Sequence, residues 1–383
     1  MQRYDVAIVG AGPAGSSAAI SLARKGYSVV LLDKALFPRE KLCGDFLNPA
    51  NWPLFEQLGV ADRLLCLEHE KVTAFRISTF AGEKATVPFP FRNGRSVFGL
   101  GLRRFYLDDL LVRAAEQEGA VIRQGCKVKG LVRETGGWTI ALGGASLEEK
   151  VQSVFLIGAD GRNSSVARHL AIARTSELQG THVAFQVHLK GARGIDGYVQ
   201  IHNFPGGYAG LVGLGGGTAN LCFTLEKSRT KGNISVNALF ENCLYKNGYL
   251  RESLGASEIV GRVRSAYPVY FSPRRFYGDG FLLVGDAARV TEPVTGEGIF
   301  FALKSGILSA DGVDLAFRER SRSLEQFARY GRLCQEVFSF RRRVNRIIRA
   351  LIYRPSWLSP VVRFSAKSPF PLRALVHWLC RSC

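Results

Sequence analysis

Tyr4-Asp-Val-Ala-Ile-Val-Gly-Ala-Gly-Pro-Ala-Gly-Ser-Ser-Ala-Ala19 is the stretch on which the fold turns. Val6–Val9 predict a short buried strand, and the small residues after Gly15 predict a helix. Between them lies Gly10-x-Gly12-x-x-Gly15. In that spacing the first glycine makes the tight turn and the second lets backbone approach a pyrophosphate. The third allows close helix–strand packing, and the helix N-terminus meets the phosphate charge. After the helix, Ser28-Val-Val-Leu-Leu-Asp33 predicts a second parallel strand, ending in an acid 18 residues beyond Gly15. Such a carboxylate is placed to bind a ribose diol. A plain βαβ unit is the bland alternative, but the glycines stand between a strand and a helix, where a dinucleotide site needs them.

Two later stretches repeat the device of a carboxylate at a strand's end beside a glycine. Val154-Phe-Leu-Ile-Gly-Ala-Asp160-Gly161 is one, followed by a helix from Ser164. Gly280-Phe-Leu-Leu-Val-Gly285-Asp286 is the other, and it leads through a Pro293 loop into Thr295-Gly296-Glu-Gly298-Ile299 and a helical apolar stripe. Asp286 is able to accept from a ligand hydroxyl, while free N–H groups near Gly298 face anything negative. Taken alone, this stretch reads equally well as an ordinary strand–loop–helix connection.

Between these landmarks, Phe37–Pro49 is a charged loop without periodicity that reaches back over the first strand. Arg39 and Lys41 are candidates to meet phosphate, and Cys43-Gly44 to bring backbone close to a ring. With no adjacent base, Cys43 reads first as a small buried filler. Leu102–Gly119 predicts a helix closed by glycine. A cation at its start, Arg103 or Arg104, opposes the macrodipole and points to an anionic ligand. Residues 72–98 and 180–270 break the βαβ rhythm with strands at Val72–Ser78, Thr86–Phe91, Thr181–Leu189, Gly197–His202, Gly207–Leu214, Asn220–Leu225 and Arg262–Tyr270, and one helix near Val236–Tyr249. Their glycines and aromatics suit a sheet walling an apolar cavity.

The 383 residues, 46% of them hydrophobic, allow two or three domains with substantial cores. The net charge of +19 is concentrated late: residues 318–383 hold 15 Lys/Arg against 3 acids, and from Arg341 onward there are 10 Lys/Arg and no acid. Ser323–Leu351 predicts an increasingly basic helix, and 352–383 alternate prolines with Trp357, Phe364, Phe370 and Trp378. This segment reads either as a cap on the core with a solvated basic face or as a peripheral contact with an anionic membrane. RNA readers interleave aromatics and cations on a defined module, and none is visible, so no nucleic-acid partner is expected. Eight cysteines without metal-ligand spacing predict reduced thiols in a cytoplasmic protein, at the inner face of a membrane if the tail binds one. Cys380-Arg-Ser-Cys383 lacks the aliphatic middle of a prenylation box. The scattered histidines predict no metal site. No apolar run approaches the ~18 residues of a membrane span.

Gly10-x-Gly12-x-x-Gly15 with Asp33, Gly158-x-Asp160-Gly161 and Gly285-Asp286, in that order, resemble the flavoprotein hydroxylase superfamily with the para-hydroxybenzoate hydroxylase fold. The resemblance covers roughly residues 1–330. Phe37-Pro-Arg-Glu-Lys-x-Cys-Gly44 and Gly296-Glu-Gly-Ile-Phe-Phe-Ala-Leu-Lys-Ser-Gly306 look like the geranylgeranyl reductase branch. The Trp-x-Trp-x-Ile-Pro element of the halogenase branch is not found. The resemblance implies an α/β fold with an α+β second domain. Residues 1–71, 100–175 and 275–330 would form a discontinuous Rossmann-like FAD-binding domain, with 72–99 and 176–274 as an inserted antiparallel substrate-binding sheet and 331–383 as a basic helical segment.

It further implies FAD, with NAD(P)H or another reductant as transient donor, since only one dinucleotide fingerprint is present. By resemblance Asp33 binds the adenosine ribose, Arg104 the phosphate region and Asp286 the ribityl chain. Gly10, Gly12, Ala14, Gly15, Lys34, Arg39, Cys43, Gly44, Val128, Asp160, Gly161, Gly285, Gly296, Gly298 and Ile299 complete the implied cofactor site. The expected substrate is a lipophilic small molecule, either an isoprenoid or similar chain whose double bonds are reduced or an aromatic or polyketide-type compound that is hydroxylated. Cys43 and Tyr208 are the candidate catalytic residues. The reductases' Gly-Tyr-x-Trp-x-Phe-Pro segment is changed here, with Gly210, Val212 and Gly213 in the Trp, Phe and Pro places.

Overall fold

The strand–glycine–helix units come together in one eight-stranded sheet. The structure, a computed structural model, describes residues 1–383 except 93–94, 144–148, 174–179, 231–234, 271–273, 291–292, 321–323 and 382–383. Thr291 and Glu292 of the Pro293 loop, Ser323 and Cys383 therefore lie outside the described residues, as do the junctions at 175–176.

Val121–Arg123, Val29–Leu32, Gln2–Val9 and Glu149–Gly158 run parallel in that spatial order, with Gly137–Gly143 and Lys127–Glu134 as an antiparallel flank. Phe281–Leu283 docks parallel against the last residues of Glu149–Gly158. Alternate residues of the first strand enter different cores, Val6 and Ile8 on one face, Ala7 and Val9 on the other. Burial of both faces explains why the strand reads as an unbroken apolar run, and each fully buried side chain of this kind contributes roughly 1.5–3 kcal/mol.

Register is what builds the site. Val9 stands opposite both Leu32 and Gly158, and Gly158 opposite Leu283. Four strand ends are therefore level, and the chain leaves them through Gly10, Asp33, Asp160 and Asp286 along one edge of the sheet. The glycine fingerprint has its physical cause here. Gly10 has φ +105°, and a Cβ on it would lie 2.4 Å from the Ala159 carbonyl oxygen. A Cβ on Gly15 would lie 1.8 Å from the carbonyl oxygen of Gly10. Both positions are closed to any side chain.

The longer helices are α1 (Pro13–Arg24), α2 (Arg104–Gln117), α3 (Gly298–Arg318), α4 (Leu324–Ile352), α5 (Pro355–Lys367) and α6 (Phe370–Leu379). The first three pack on the parallel sheet, with α1 lying between α2 and α3. A second, seven-stranded sheet runs in the order Glu258–Ala266, His182–Lys190, Thr218–Glu226, Gly207–Gly215, Tyr198–Phe204, Ala74–Ser78, Lys84–Pro88. It is antiparallel except at one joint: Tyr198–Phe204 and Ala74–Ser78 pair parallel, because the sheet is assembled from two separate excursions of the chain. The single helix expected at Val236–Tyr249 is two, Val236–Asn242 and Gly248–Leu254. Asn247 breaks it by capping the second, its side chain accepting from the Leu250 N–H at 3.1 Å. Helix α4 begins on the core of the first sheet and ends over the second, where α5 and α6 lie against Lys84–Pro88.

Candidate functional site

A continuous cavity of about 960 Å³ runs from the level strand ends to the space between the second sheet and the C-terminal helices. Its two ends differ in chemistry.

The polar end is lined by Gly10, Gly12, Ala14, Asp33, Lys34, Arg39, Lys41, Cys43, Gly44, Arg104, Val128, Asp160, Gly161 and Asp286, together with Gly296, Gly298 and Ile299. Asp33 is held by its own turn, accepting from the Ala11 N–H at 2.8 Å and the Ala35 N–H at 2.9 Å. Gly12, unlike Gly10 and Gly15, is open: the atoms nearest an added Cβ are Nη2 of Arg39 at 3.6 Å and Nη2 of Arg104 at 4.0 Å. Both guanidiniums share one fully buried carboxylate. Arg104 binds Asp108 twice, at 2.6 and 2.8 Å, and Arg39 Nη1 lies 3.2 Å from it. Burial works against the Arg104 charge, but Asp108 beside it holds its pKa above the ordinary value. Arg39 also lies 3.9 Å from Asp33, so with Lys41 nearby three cations face two carboxylates and leave a net positive charge by the glycine turn. Arg39 Nη1 is also buried without a hydrogen-bond partner. Nη1 is the atom turned to Asp108, and Nη2 of the same guanidinium stands over the open glycine, an arrangement that fits the diphosphate of a dinucleotide.

Asp160 caps the next helix, accepting at Oδ2 from the N–H and hydroxyl of Ser165 and the N–H of Val166, while its buried Oδ1 is left without a partner. At the far edge α3 begins at Gly298, and no side chain caps its first turn. Its free N–H groups and macrodipole favour negative charge in the cavity, which suits the N1/C2=O edge of a reduced flavin. Lys41, the third of the cations by the glycine turn, has its pKa lowered to about 8 by burial and by Arg39, Arg104 and Arg162.

Some expected residues stand elsewhere. Gly15 and Gly285 shape backbone behind the lining rather than facing the cavity. Tyr208 is not among the lining residues; it is buried behind the wall, edge-on to Tyr353 with centroids 5.6 Å apart. Arg103 pairs with Glu40 and is not among the lining residues, whereas Arg104 lines the cavity. Cys43 lines the cavity, with its thiol pushed up by burial and therefore protonated at neutral pH.

One group of residues was invisible in the sequence. Asp45, buried at φ +50°, accepts from His188 Nε2 and Gln186 Nε2, each at 3.0 Å, and from the Arg104 N–H at 3.1 Å. Gln186 donates to Asn220 at 2.9 Å, and Asn220 donates to the Cys43 carbonyl at 3.2 Å. The network ties the Cys43–Gly44 loop to two strands of the second sheet. Its links from the loop to the second sheet span more than 140 residues, and no local pattern records them.

The apolar end is walled on one side by Phe75, Ile77, Phe89, Val199, Ile201 and Val212 of the second sheet. Opposite are Ile348, Leu351 and Ile352 of α4, Leu358, Val361 and Val362 of α5, and Leu372, Leu375, Val376 and Leu379 of α6. Gly210 lines this chamber, and nothing lies within 3.7 Å of a Cβ placed on it. The last fifty residues thus do cap the core, and what they cap is this chamber.

Comparison with known proteins agrees with this geometry. Residues 3–310 match the FAD binding domain family. The menaquinone reductase of Mycobacterium tuberculosis is 32% identical over 320 residues, covering 81% of this chain and 76% of that protein. The digeranylgeranylglycerophospholipid reductase of Methanosarcina acetivorans is 29% identical over 332 residues, covering 84% and 78%. Among solved structures, a geranylgeranyl bacteriochlorophyll reductase-like protein from Thermoplasma acidophilum superposes with a TM-score of 0.80 at 22% identity, over 96% of this chain and 91% of that one. A flavin-dependent brominase shares the fold equally well, with a TM-score of 0.82 at 20% identity, over 99% and 94%. The chain belongs to the FAD binding domain family and is an FAD-dependent oxidoreductase of its geranylgeranyl reductase-like branch.

Proposed function

We propose that this enzyme reduces carbon–carbon double bonds in an isoprenoid or similar lipid chain, with NAD(P)H or another reductant as a transient electron donor. The observation that carries the reading is the continuity of the FAD crevice with a chamber whose walls are almost wholly aliphatic. Such a chamber offers a hydrocarbon chain burial and offers a polar substrate nothing to bind. The names of the menaquinone and digeranylgeranylglycerophospholipid reductases support the same class of substrate. A chain of this kind resides in a bilayer, so the reading also puts the reaction at the inner face of a membrane.

In this reading Asp33 holds the ribose, Arg39 and Arg104 the diphosphate, and Asp286 the ribityl chain. FAD, when bound and reduced by that donor, would supply the hydride. The uncapped first turn of α3 stabilises negative charge at the edge it faces, as preorganised electrostatics. The Asp45 network fixes the Cys43–Gly44 loop at the junction of crevice and chamber. The apolar walls exclude water from the reacting carbons. Saturation adds a hydride to one alkene carbon and a proton to the other, and the neutral Cys43 thiol is the candidate to hold that proton.

Monooxygenation of an aromatic or polyketide-type compound is the second reading. The glycine at 210, where the reductases carry Trp, favours it by widening the chamber beside the sheet. Oxygen stoichiometry separates the two. The reductase reading expects substrate turnover with dithionite in the absence of oxygen, and a product heavier by two hydrogens. Substrate-coupled oxygen consumption with a product heavier by one oxygen overturns it.

A further inference from the structure

We propose that the outer face of α5 and α6 docks on an anionic lipid bilayer, with Val361 as the thinnest part of the wall between bilayer and chamber. The inference rests on the reading of a lipid substrate but names a surface that the reading does not require. Helix α5 carries two apolar stripes at helical spacing. Leu358 and Val362 are buried and face the chamber. Trp357, Val361 and Phe364 repeat the spacing about a third of a turn around and are 54%, 42% and 58% exposed. Phe370, at the start of α6, is 76% exposed. A helix that needed only to roof the chamber would be apolar on one face and polar on the other. Here the apolar arc extends past the buried face into solvent, which is the form of an interfacial helix.

The charge around that arc selects the occupant. From Arg341 onward there are 10 Lys/Arg and no Asp or Glu. Arg354 stacks over Trp357 at 4.5 Å, and Arg363 and Lys367 stand exposed along α5. Arg363 pairs with Glu83 at 2.7 Å, but the helices themselves bring no acid, and aromatics ringed by an excess of cations are complementary to anionic headgroups over an acyl layer. No helix among the described residues is long and apolar enough to cross a membrane, so the contact is peripheral. Val361 ties the surface to the site: it is 42% exposed, in the stripe of Trp357 and Phe364, and it also lines the chamber. At that point one side chain separates lipid from the interior.

The test uses the full-length FAD-loaded protein with vesicles of phosphatidylcholine alone or mixed with phosphatidylglycerol. Sedimentation should show binding at least about tenfold tighter to the anionic vesicles, weakening as salt is raised. Bromine-labelled acyl chains should quench tryptophan fluorescence, and Trp357→Phe should abolish that quenching. A variant with Trp357, Phe364 and Phe370 all changed to Ser should lose vesicle binding while keeping its flavin and its melting temperature. Equal binding to both vesicles, or quenching that survives Trp357→Phe, overturns the proposal. So does light scattering that shows a dimer dissolved by the triple change, because a second copy then covers the face. RNA binding without vesicle binding does the same. None of these readouts needs turnover, so they stand or fall separately from the reductase reading.

Discussion

At the residue scale, the two arginines sharing Asp108 have different roles although both face Gly12. Arg104 is doubly bonded to a carboxylate with no exposure of its own, whereas Arg39 approaches the same carboxylate from one side. Either loss removes a charge-assisted contact to phosphate, so Arg39→Met and Arg104→Met should each weaken FAD binding by about 10- to 100-fold in a fluorescence titration. Only Arg104→Met also strips a buried carboxylate of its principal partner, so only it should lower unfolding stability by roughly 3 kcal/mol. Equal destabilisation by the two changes would refute the division of labour. The glycines, Asp33 and Asp286 were legible in sequence because each acts through the turn on which it sits. Arg104 was legible for a related reason, being a cation at a helix start where the dipole disfavours it. Asp45 was not, since its meaning lies in His188 and Gln186 on a distant strand.

At the element scale, a buried arginine helps fasten the cofactor helix to the roof. Arg341 of α4 is almost completely buried. It pairs with Glu297 just before α3, donates to the Arg381 carbonyl just after α6, and lies over the rings of Phe300 and Trp378 at 4.6 and 4.9 Å. Removing it leaves Glu297 buried with its charge uncompensated, a change that costs about 3–5 kcal/mol. Arg341→Met should therefore destabilise the protein by about that amount, and Glu297→Gln combined with Arg341→Met by less. Denaturant melts of the single and double variants would check this, and a double variant no better than the single one would contradict it. The helical pattern of 324–352 and the basic run were visible in sequence, but the partners of α5 and α6 were not. Both stripes of α5 are apolar, so periodicity alone does not say which one faces inward.

For the whole molecule, the second sheet carries a buried titratable group of its own, at the joint between its two excursions. His202, in the second sheet, accepts or donates to the Ser78 hydroxyl at 2.8 Å and is fully enclosed. Burial, with Arg76 nearby, lowers its pKa to about 3. The unfolded chain takes up this proton below about pH 6.5, whereas the folded chain resists until about pH 3. Stability is therefore full above the unfolded value, declines as pH falls through that window, and loses a few kcal/mol by its lower end. Melting temperature followed from pH 7 to about pH 4 should fall more steeply for the native chain than for His202→Gln. Parallel curves would exclude His202 as the cause. The α/β class and the two excursions into a second sheet followed from the break in the βαβ rhythm. The parallel joint between Ala74–Ser78 and Tyr198–Phe204 did not, because no local pattern records which strand of one excursion meets which strand of the other.

The division of the cavity also sets an order of assembly as the chain is made. Every residue that lines the cofactor crevice has been synthesised by Ile299, while Leu379, the last apolar residue of the roof, comes eighty residues later. Because chains fold from the N-terminus as they emerge, a nascent molecule presents an open crevice before it has a closed chamber. At that stage the crevice is open on the side that the apolar chamber later covers. The roof is made afterwards, and the bond from Arg341 to the Arg381 carbonyl needs residues from its very end.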